Sequence, residues 1–158
     1  MLVLIIEDDP VQADLMQQTI ERELGAKVRR IATESEFYTR LEEIVARRPD
    51  AIVIDVMLRW ADPAESMPSK PVDYNATGGY RRAGLRCRKR LADHPGALGF
   101  ATLLYTVLNR EALMGISDGE YLQKGDGFDQ LLNRLREITA MQPKPVQKGT
   151  QARDPRGS

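Results

Sequence analysis

Acidic residues follow two short apolar runs of the sequence, and their placement indicates a site that could bind a cation. Residues 2–6 are followed by Glu7 and Asp8, and residues 51–54 are followed by Asp55. Both runs are rich in branched apolar residues, which is typical of parallel strands buried on both faces. If these strands are neighbours, the three carboxylates meet at the carboxyl edge of the sheet, where open α/β sheets bind ligands. Carboxylates this close repel one another unless a cation lies among them, and ligation by oxygen alone favours Mg²⁺, so the sequence predicts a metal-dependent acidic pocket.

Length and charge limit the classes of protein to consider. The chain has 158 residues, enough for one domain with its own core. The charges of its 23 basic and 23 acidic residues cancel. Basic residues nevertheless cluster at 81–90, which is typical of a solvated helix face or, alternatively, of a partner-binding patch. The single cysteine excludes an internal disulfide, and the sequence shows neither a leader pattern nor the ~20 apolar residues of a membrane span. We therefore expect a cytoplasmic protein that binds neither nucleic acid nor membrane directly.

Apolar spacing and turn residues predict strands that alternate with helices along the chain. The strands are predicted at residues 2–6, 27–32, 51–54, 100–106 and 120–124. The helices are predicted at residues 10–24, 33–47, 77–91, 109–115 and 128–138. The apolar stripe of the first helix consists of Val11, Leu15, Ile20 and Leu24. One face of the third helix consists of Tyr80, Gly84, Cys87 and Leu91. We expect these faces to be buried.

This alternation indicates an α/β fold with a parallel sheet, in which right-handed crossovers cover both faces with helices. We predict a doubly wound, five-stranded sheet in the order 2-1-3-4-5. That order places the first and third strands side by side at the switch point. It therefore provides the adjacency that Glu7, Asp8 and Asp55 require.

The ends of the later strands complete a pattern that resembles the receiver domain of two-component response regulators. Asp55 matches the phosphoacceptor aspartate of that family, and the acidic pair after the first strand matches its acidic pair. Thr106 ends the fourth strand, where the family has a switch Ser or Thr, and Lys124 ends the fifth, where it has a lysine. Tyr121 matches the switch aromatic. The resemblance covers residues 2–140 and implies a flavodoxin-like receiver fold.

The resemblance also implies how a metal would be held. Asp8 and Asp55 would bind Mg²⁺ directly, as would the backbone carbonyl of Met57, and Glu7 would bind it through water. In such a site the ion neutralises charge that builds on phosphoryl oxygens. Lys124 would pair with one phosphoryl oxygen and the Thr106 hydroxyl with another.

A signalling role follows from the same resemblance. A sensor histidine kinase or a phosphotransfer protein would donate a phosphoryl group to Asp55, which can act as a nucleophile. Thr106 and Tyr121 would then form a switch that changes contacts with a downstream protein that the sequence does not name, or with a second copy in a homodimer. The protein would be a regulator rather than an enzyme, with at most self-phosphorylation and autodephosphorylation.

Three positions depart from the family pattern. Arg59 and Gly125 stand where the family usually has Pro, and Val107 stands where a small residue is usual. A bulky Val107 could narrow the access to Asp55. These departures favour an alternative in which the chain is a pseudo-receiver that acts as a constitutive protein-interaction module.

Two segments lie outside the simple receiver pattern. The connection between Asp55 and Thr106 is about twenty residues longer than expected. A helix of about fifteen residues, one strand and two short loops would account for the rest. The excess falls at 59–78, which we interpret as an insertion in the receiver domain at 1–140. Its aromatic residues look exposed, and it is either an ordered lid or partner surface, or a disordered linker. Residues 141–158 are rich in Pro and Gly and read as a disordered tail or linker.

A third class of function is a phosphohydrolase with an aspartate nucleophile. Such enzymes generally place the nucleophile and the acid two residues apart after one strand, whereas Asp8 and Asp55 follow different strands. The chain also shows no dedicated substrate domain. The sequence therefore favours a receiver over an enzyme that turns over small phosphoesters.

Overall fold

Five parallel strands form the centre of the molecule. The computed structural model describes residues 1–64, 66–116, 120–125 and 127–141. The sheet has the strand order β2-β1-β3-β4-β5, so the predicted doubly wound α/β sheet is confirmed. Its strands are β1 (Leu2–Ile6), β2 (Lys27–Ile31), β3 (Ala51–Ile54), β4 (Thr102–Thr106) and β5 (Tyr121–Gln123). β4 and β5 are slightly shorter than the apolar pattern predicts.

The register of the sheet determines which residues meet at its carboxyl edge. Ile6 pairs with Ile31 in β2 and with Ile54 in β3. Because parallel strands in this register end together, the next residues, Glu7 and Asp55, leave the sheet side by side.

Five helices cover the two faces of the sheet. They are α1 (Pro10–Leu24), α2 (Glu34–Thr39), α3 (Leu41–Arg47), α4 (Ala83–Ala92) and α5 (Asp129–Met141). The apolar faces of α1 and α5 pack on one side of the sheet, against strand residues such as Val3 and Val53. The other three helices pack on the opposite side, against residues such as Leu4 and Ile52. Both sides of the sheet are therefore buried, as expected of a parallel sheet.

The first helix has its predicted bounds but a different buried face. The Asp9 side chain caps it by accepting the backbone N–H of Val11 at 2.9 Å. Met16 and Ile20 are buried against the sheet, whereas Val11 and Leu15 are 64% and 47% exposed. The prediction that those two residues are buried was wrong. Their spacing fits a helix, but it does not identify which side of the helix faces the sheet.

The second predicted helix is divided at Arg40 into α2 and α3. The Thr39 hydroxyl donates to the carbonyl of Ser35 at 2.9 Å. A Thr or Ser hydroxyl that bonds back to the preceding turn often bends a helix, and the next residue, Arg40, leaves helical geometry with φ −102° and ψ 9°.

The third helix begins later than the sequence pattern predicts. Gly78 and Gly79 have φ angles of 92° and 54°, which do not belong to a right-handed helix. A 3₁₀ turn at Gly79–Arg82 follows, and α4 starts only at Ala83. Tyr80 lies in that turn and is 53% exposed, so its predicted burial was wrong.

The connection between β4 and β5 contains no α-helix within its described residues. The predicted helix at 109–115 is a single 3₁₀ turn, Arg110–Leu113. The Asn109 side chain accepts the N–H of Ala112 at 3.1 Å and begins the turn, and Gly115, with a φ of 88°, follows its end.

Three residues of the segment 59–78 pack against the body of the domain. Trp60 and Tyr74 are buried together with Ala61 and contact Tyr38 of α2, so the expectation that these aromatics are exposed was wrong. The Trp60 indole Nε1–H donates to the carbonyl of Pro68 at 2.8 Å.

Of the predicted tail 141–158, all but Met141 lies outside the described residues. Among the described helices, none has the length and apolar character needed to cross a membrane.

Candidate functional site

The backbone ladder continues beyond the strand ends and holds the candidate site residues in place. The N–H of Glu7 donates to Ile31 at 3.0 Å, and the N–H of Asp55 donates to Ile6 at 2.9 Å. On the other side of β3, the N–H of Lys124 donates to the carbonyl of Thr106 at 2.8 Å. The sheet itself therefore positions these side chains at one edge.

Three carboxylates meet at this edge, as the sequence predicts. One oxygen from each of Glu7, Asp8 and Asp55 lies within 4.8 Å of the others. Glu7 and Asp55 are buried, whereas Asp8 is partly exposed. The cluster is therefore open to solvent mainly on the side of Asp8.

Lys124 crosses from β5 to this cluster. Its Nζ lies 2.5 Å from Glu7 Oε2 and 2.7 Å from Asp55 Oδ2. Burial disfavours the ammonium ion, but the charge and hydrogen bonds of Asp55 and Glu7 outweigh that effect and raise the pKa of Lys124. Burial raises the pKa of Glu7, against the hydrogen bond from Lys124. Among the described residues, this lysine is the cation that contacts Glu7 and Asp55.

A second cation, Arg59, contacts the cluster at Asp8. The backbone N–H of Arg59 donates to Asp8 Oδ2 at 3.0 Å, and Arg59 Nε lies 3.5 Å from the same oxygen. Its Nη2 also donates to the carbonyl of Asp8. The sequence marks Arg59 only as a residue that replaces a usual Pro, and nothing in the local pattern indicates that its side chain reaches back to Asp8.

The two predicted switch residues are joined through a residue that the sequence analysis missed. Thr106 is fully buried, and its Oγ1 accepts the N–H of Leu108 at 3.4 Å. The carbonyl of Leu108 accepts the hydroxyl of Tyr121 at 2.6 Å. Because both bonds are to the backbone of Leu108, the type of residue at this position does not indicate the link. Only the spacing of Thr106 and Tyr121 could have suggested it. Val107, between them in this loop, is 55% exposed.

The donor set at this edge fits Mg²⁺. The three acids offer only carboxylate oxygens as ligands. The N–H of Met57 donates to Asp55 Oδ1 at 3.3 Å, so the loop after β3 turns around that carboxylate. Ligand oxygens at ~2.1 Å from one Mg²⁺ lie at most ~4.2 Å apart. A small rotation of one carboxylate, or a water that bridges one of them, would bring all three acids within reach of one ion.

Several solved structures with a similar fold are receiver domains. No protein-family model matches this sequence, and no curated protein matches it either. A signal receiver domain of a two-component histidine kinase from Clostridium thermocellum has a TM-score of 0.63 and 15% identity, with 87% of this chain and 96% of that chain covered. The receiver domain of the Francisella response regulator 1452 has a TM-score of 0.61 and 20% identity, with 88% and 96% covered.

The response regulator protein TrrA from Thermotoga maritima, solved in complex with Mg²⁺ and BeF, is a third similar structure. It has a TM-score of 0.58 and 18% identity, with 87% of this chain and 97% of that chain covered. At these identities the comparison concerns the backbone. The chain therefore has the flavodoxin-like fold of the receiver domains of two-component response regulators.

Proposed function

We propose that this chain is a signalling receiver that accepts a phosphoryl group on Asp55 and thereby changes its contacts with other proteins. The observation that carries the proposal is the convergence of Glu7, Asp8, Asp55 and Lys124 at one edge of a receiver-like sheet. The proposed donor is the phosphohistidine of a sensor kinase or of a phosphotransfer protein, and the proposed setting is the cytoplasm.

Asp55 is suited to act as the nucleophile because its side chain is held in place. Lys124 contacts one of its oxygens, and the N–H of Met57 contacts the other at a longer distance. In the transfer, a carboxylate oxygen of Asp55 forms a bond to phosphorus while the bond from phosphorus to the donor imidazole breaks. The imidazole nitrogen keeps the electron pair, and a carboxylate needs no general base for this attack.

Asp8, Asp55 and the Met57 carbonyl would hold Mg²⁺ directly, with Glu7 holding it through water. When bound, the ion neutralises charge on the acids and on the incoming phosphoryl group. The ammonium group of Lys124 already contacts Asp55, and it can pair with a phosphoryl oxygen once that group is attached. The ammonium group of Lys124 would then contact the phosphoryl group, and it would keep its contact with Glu7.

The switch would act through Leu108. If the Thr106 hydroxyl moves toward a phosphoryl oxygen, its bond with the Leu108 N–H is lost and the loop after β4 shifts. The carbonyl that binds Tyr121 belongs to that same residue, so the ring of Tyr121 would move too. The surface around β5 is therefore the proposed site of altered contacts with a downstream protein or with a second copy of the chain.

One observation favours a second candidate, a pseudo-receiver that binds partners constitutively. Lys124 and Arg59 already pair with the acids of the cluster, so a cation is not strictly needed to balance their charge. In this alternative the site is a structural ion-pair network, and Asp55 accepts no phosphoryl group.

Incubation with Mg²⁺ and acetyl phosphate, followed by intact-mass measurement, separates the two candidates. We expect one added phosphoryl group in the unaltered chain and none in Asp55→Asn or in the presence of a chelator. Asp9→Asn is the matched control, because Asp9 caps α1 beside the cluster without belonging to it. No added mass in the unaltered chain would favour the pseudo-receiver. Thr106→Ala should still gain the group but not change its self-association or partner affinity.

A further inference from the structure

We propose that Arg59 is a positioning residue that holds Asp8 and weakens the binding of a divalent cation by the acidic cluster. The inference rests on the metal site of the proposed function and deepens it by assigning its regulation to this chain's own residue. Arg59 binds Asp8 in two ways, through its backbone N–H and through its guanidinium group.

The position of Arg59 is fixed by the rest of the molecule. Its carbonyl accepts the N–H of Glu34 at 3.1 Å, and the next carbonyl, that of Trp60, accepts the N–H of Ser35 at 2.8 Å. The side chain of Trp60 is buried at 7% exposure. The start of α2 therefore anchors this loop, and the guanidinium group stays within reach of Asp8 without any rearrangement of the backbone.

The two contacts with Asp8 have different consequences for a bound cation. The N–H of Arg59 orients the Asp8 carboxylate, and every variant except proline keeps this donor. The guanidinium adds a positive charge to the carboxylate that a metal would use, so the two cations repel each other. Metal binding must overcome this repulsion or displace the guanidinium from Asp8.

A place for the displaced guanidinium exists. Arg59 Nη1 already lies 3.5 Å from Asp62 Oδ1, and Asp62 is exposed. Both residues line a cavity of about 540 Å³ beside Asp8, whose wall also includes Glu36. The side chain can therefore turn toward Asp62 when a cation binds Asp8 and return when it leaves.

Titration with Mg²⁺ alone tests the proposal without any phosphoryl transfer. The dissociation constant would be measured by calorimetry and by the emission of Trp60, the neighbour of Arg59. We expect Arg59→Gln to bind Mg²⁺ about three- to tenfold more tightly than the unaltered chain, because one repelling charge is gone. Arg59→Lys should restore most of the weaker binding, and the difference should shrink at high salt.

Arg81→Gln is the matched control, since Arg81 is exposed in the 3₁₀ turn before α4, and it should leave the dissociation constant unchanged. Arg59→Met gives a second neutral variant should the glutamine variant fold poorly. Equal or weaker binding by both neutral variants would overturn the role of Arg59 while leaving the metal site intact. If neither they nor the unaltered chain bind Mg²⁺, both this inference and the metal part of the proposed function fail. Binding by the neutral variants alone would support the inference.

Discussion

Among the described residues, the most deeply buried charged side chain is that of Glu34, at the first position of α2. Its side chain is fully buried, and Arg86 donates to both of its oxygens at 2.7 Å. Arg86 also donates to the carbonyls of Thr77 and Gly79. The hydrogen bonds with Glu34 raise the pKa of Arg86. This pair therefore ties α2, α4 and the end of the insertion together, although Arg86 belongs to a basic run that is typical of a solvated face.

Loss of the Glu34 charge should strongly destabilise the fold. We expect Glu34→Gln to lower the free energy of unfolding by about 3–5 kcal/mol, because Arg86 would keep a charge with no buried counter-ion. Urea denaturation followed by circular dichroism measures the change. Glu23→Gln is the control, because the Glu23 side chain is 42% exposed and pairs with Arg22 at the surface, and it should change stability by less than about 1 kcal/mol. A loss in Glu34→Gln no larger than in this control would contradict the prediction.

A second prediction at the residue scale concerns Tyr121. Tyr121→Phe removes the hydroxyl that donates to the Leu108 carbonyl and leaves the ring. We expect a loss of about 0.5–1.5 kcal/mol in urea denaturation, the usual size of one neutral hydrogen bond. Asp55 should still gain a phosphoryl group in this variant, because the lost bond lies in the loop after β4 and not on the nucleophile. Unchanged stability would show that the hydrogen bond from Tyr121 to Leu108 adds no net free energy of folding. The link from Tyr121 to Thr106 would then be weaker than the structure indicates.

At the scale of elements, α4 approaches the end of β3 so closely that only glycine fits at the contact. The N–H of Gly84 donates to the carbonyl of Val56 at 2.9 Å. A Cβ atom at Gly84 would lie 1.9 Å from the backbone oxygen of Asp55. The position of the helix is thus coupled directly to the backbone of the candidate nucleophile.

Gly84→Ala should therefore destabilise the protein even though alanine is the better helix former. Alanine in a helix gains about 0.5–1 kcal/mol over glycine, but the clash with backbone atoms should cost more and leave a net loss of about 1–3 kcal/mol. Thermal unfolding would measure it. Gly125→Ala is the matched control, because no described atom beyond its two chain neighbours lies within 4 Å of its Cβ position. A Gly84→Ala protein as stable as the unaltered chain would show that α4 can move away from β3 freely.

Helix boundaries were harder to predict than the strands, for identifiable reasons. The apolar runs of β1 and β3 are buried on both faces, so their composition alone marks them. The second helix is divided at Arg40, next to a hydroxyl bond of Thr39, and the late start of α4 follows the φ angles of Gly78 and Gly79. Neither feature changes the hydrophobic period, which is the main signal for a helix.

For the whole molecule, the sheet order and the meeting of Glu7, Asp8 and Asp55 follow from the sequence, because parallel strands end at one edge. The contact of Arg59 with Asp8 does not follow, since it depends on how the loop after β3 is anchored on α2. The burial of aromatic residues in the insertion was also missed, although an ordered segment was one of the two alternatives. Its aromatic residues have no periodic pattern, and their burial depends on Tyr38 and on the guanidinium group of Arg86, which lie outside the insertion.

The last prediction tests whether the insertion is part of the folded domain. Tyr74 is 6% exposed, its ring lies 5.8 Å from that of Trp60, and the guanidinium of Arg86 lies 4.8 Å from its centre. We expect Tyr74→Ala to lower the free energy of unfolding by about 2–4 kcal/mol, because it leaves a cavity and removes a cation–π contact. Water would reach Trp60, so its emission should shift to longer wavelength. Tyr80→Ala is the control, since Tyr80 is 53% exposed, and it should change neither quantity measurably. If Tyr74→Ala keeps the stability and the emission of the unaltered chain, Tyr74 does not pack against Trp60 and Arg86 in solution, and the end of the insertion is not part of the folded domain.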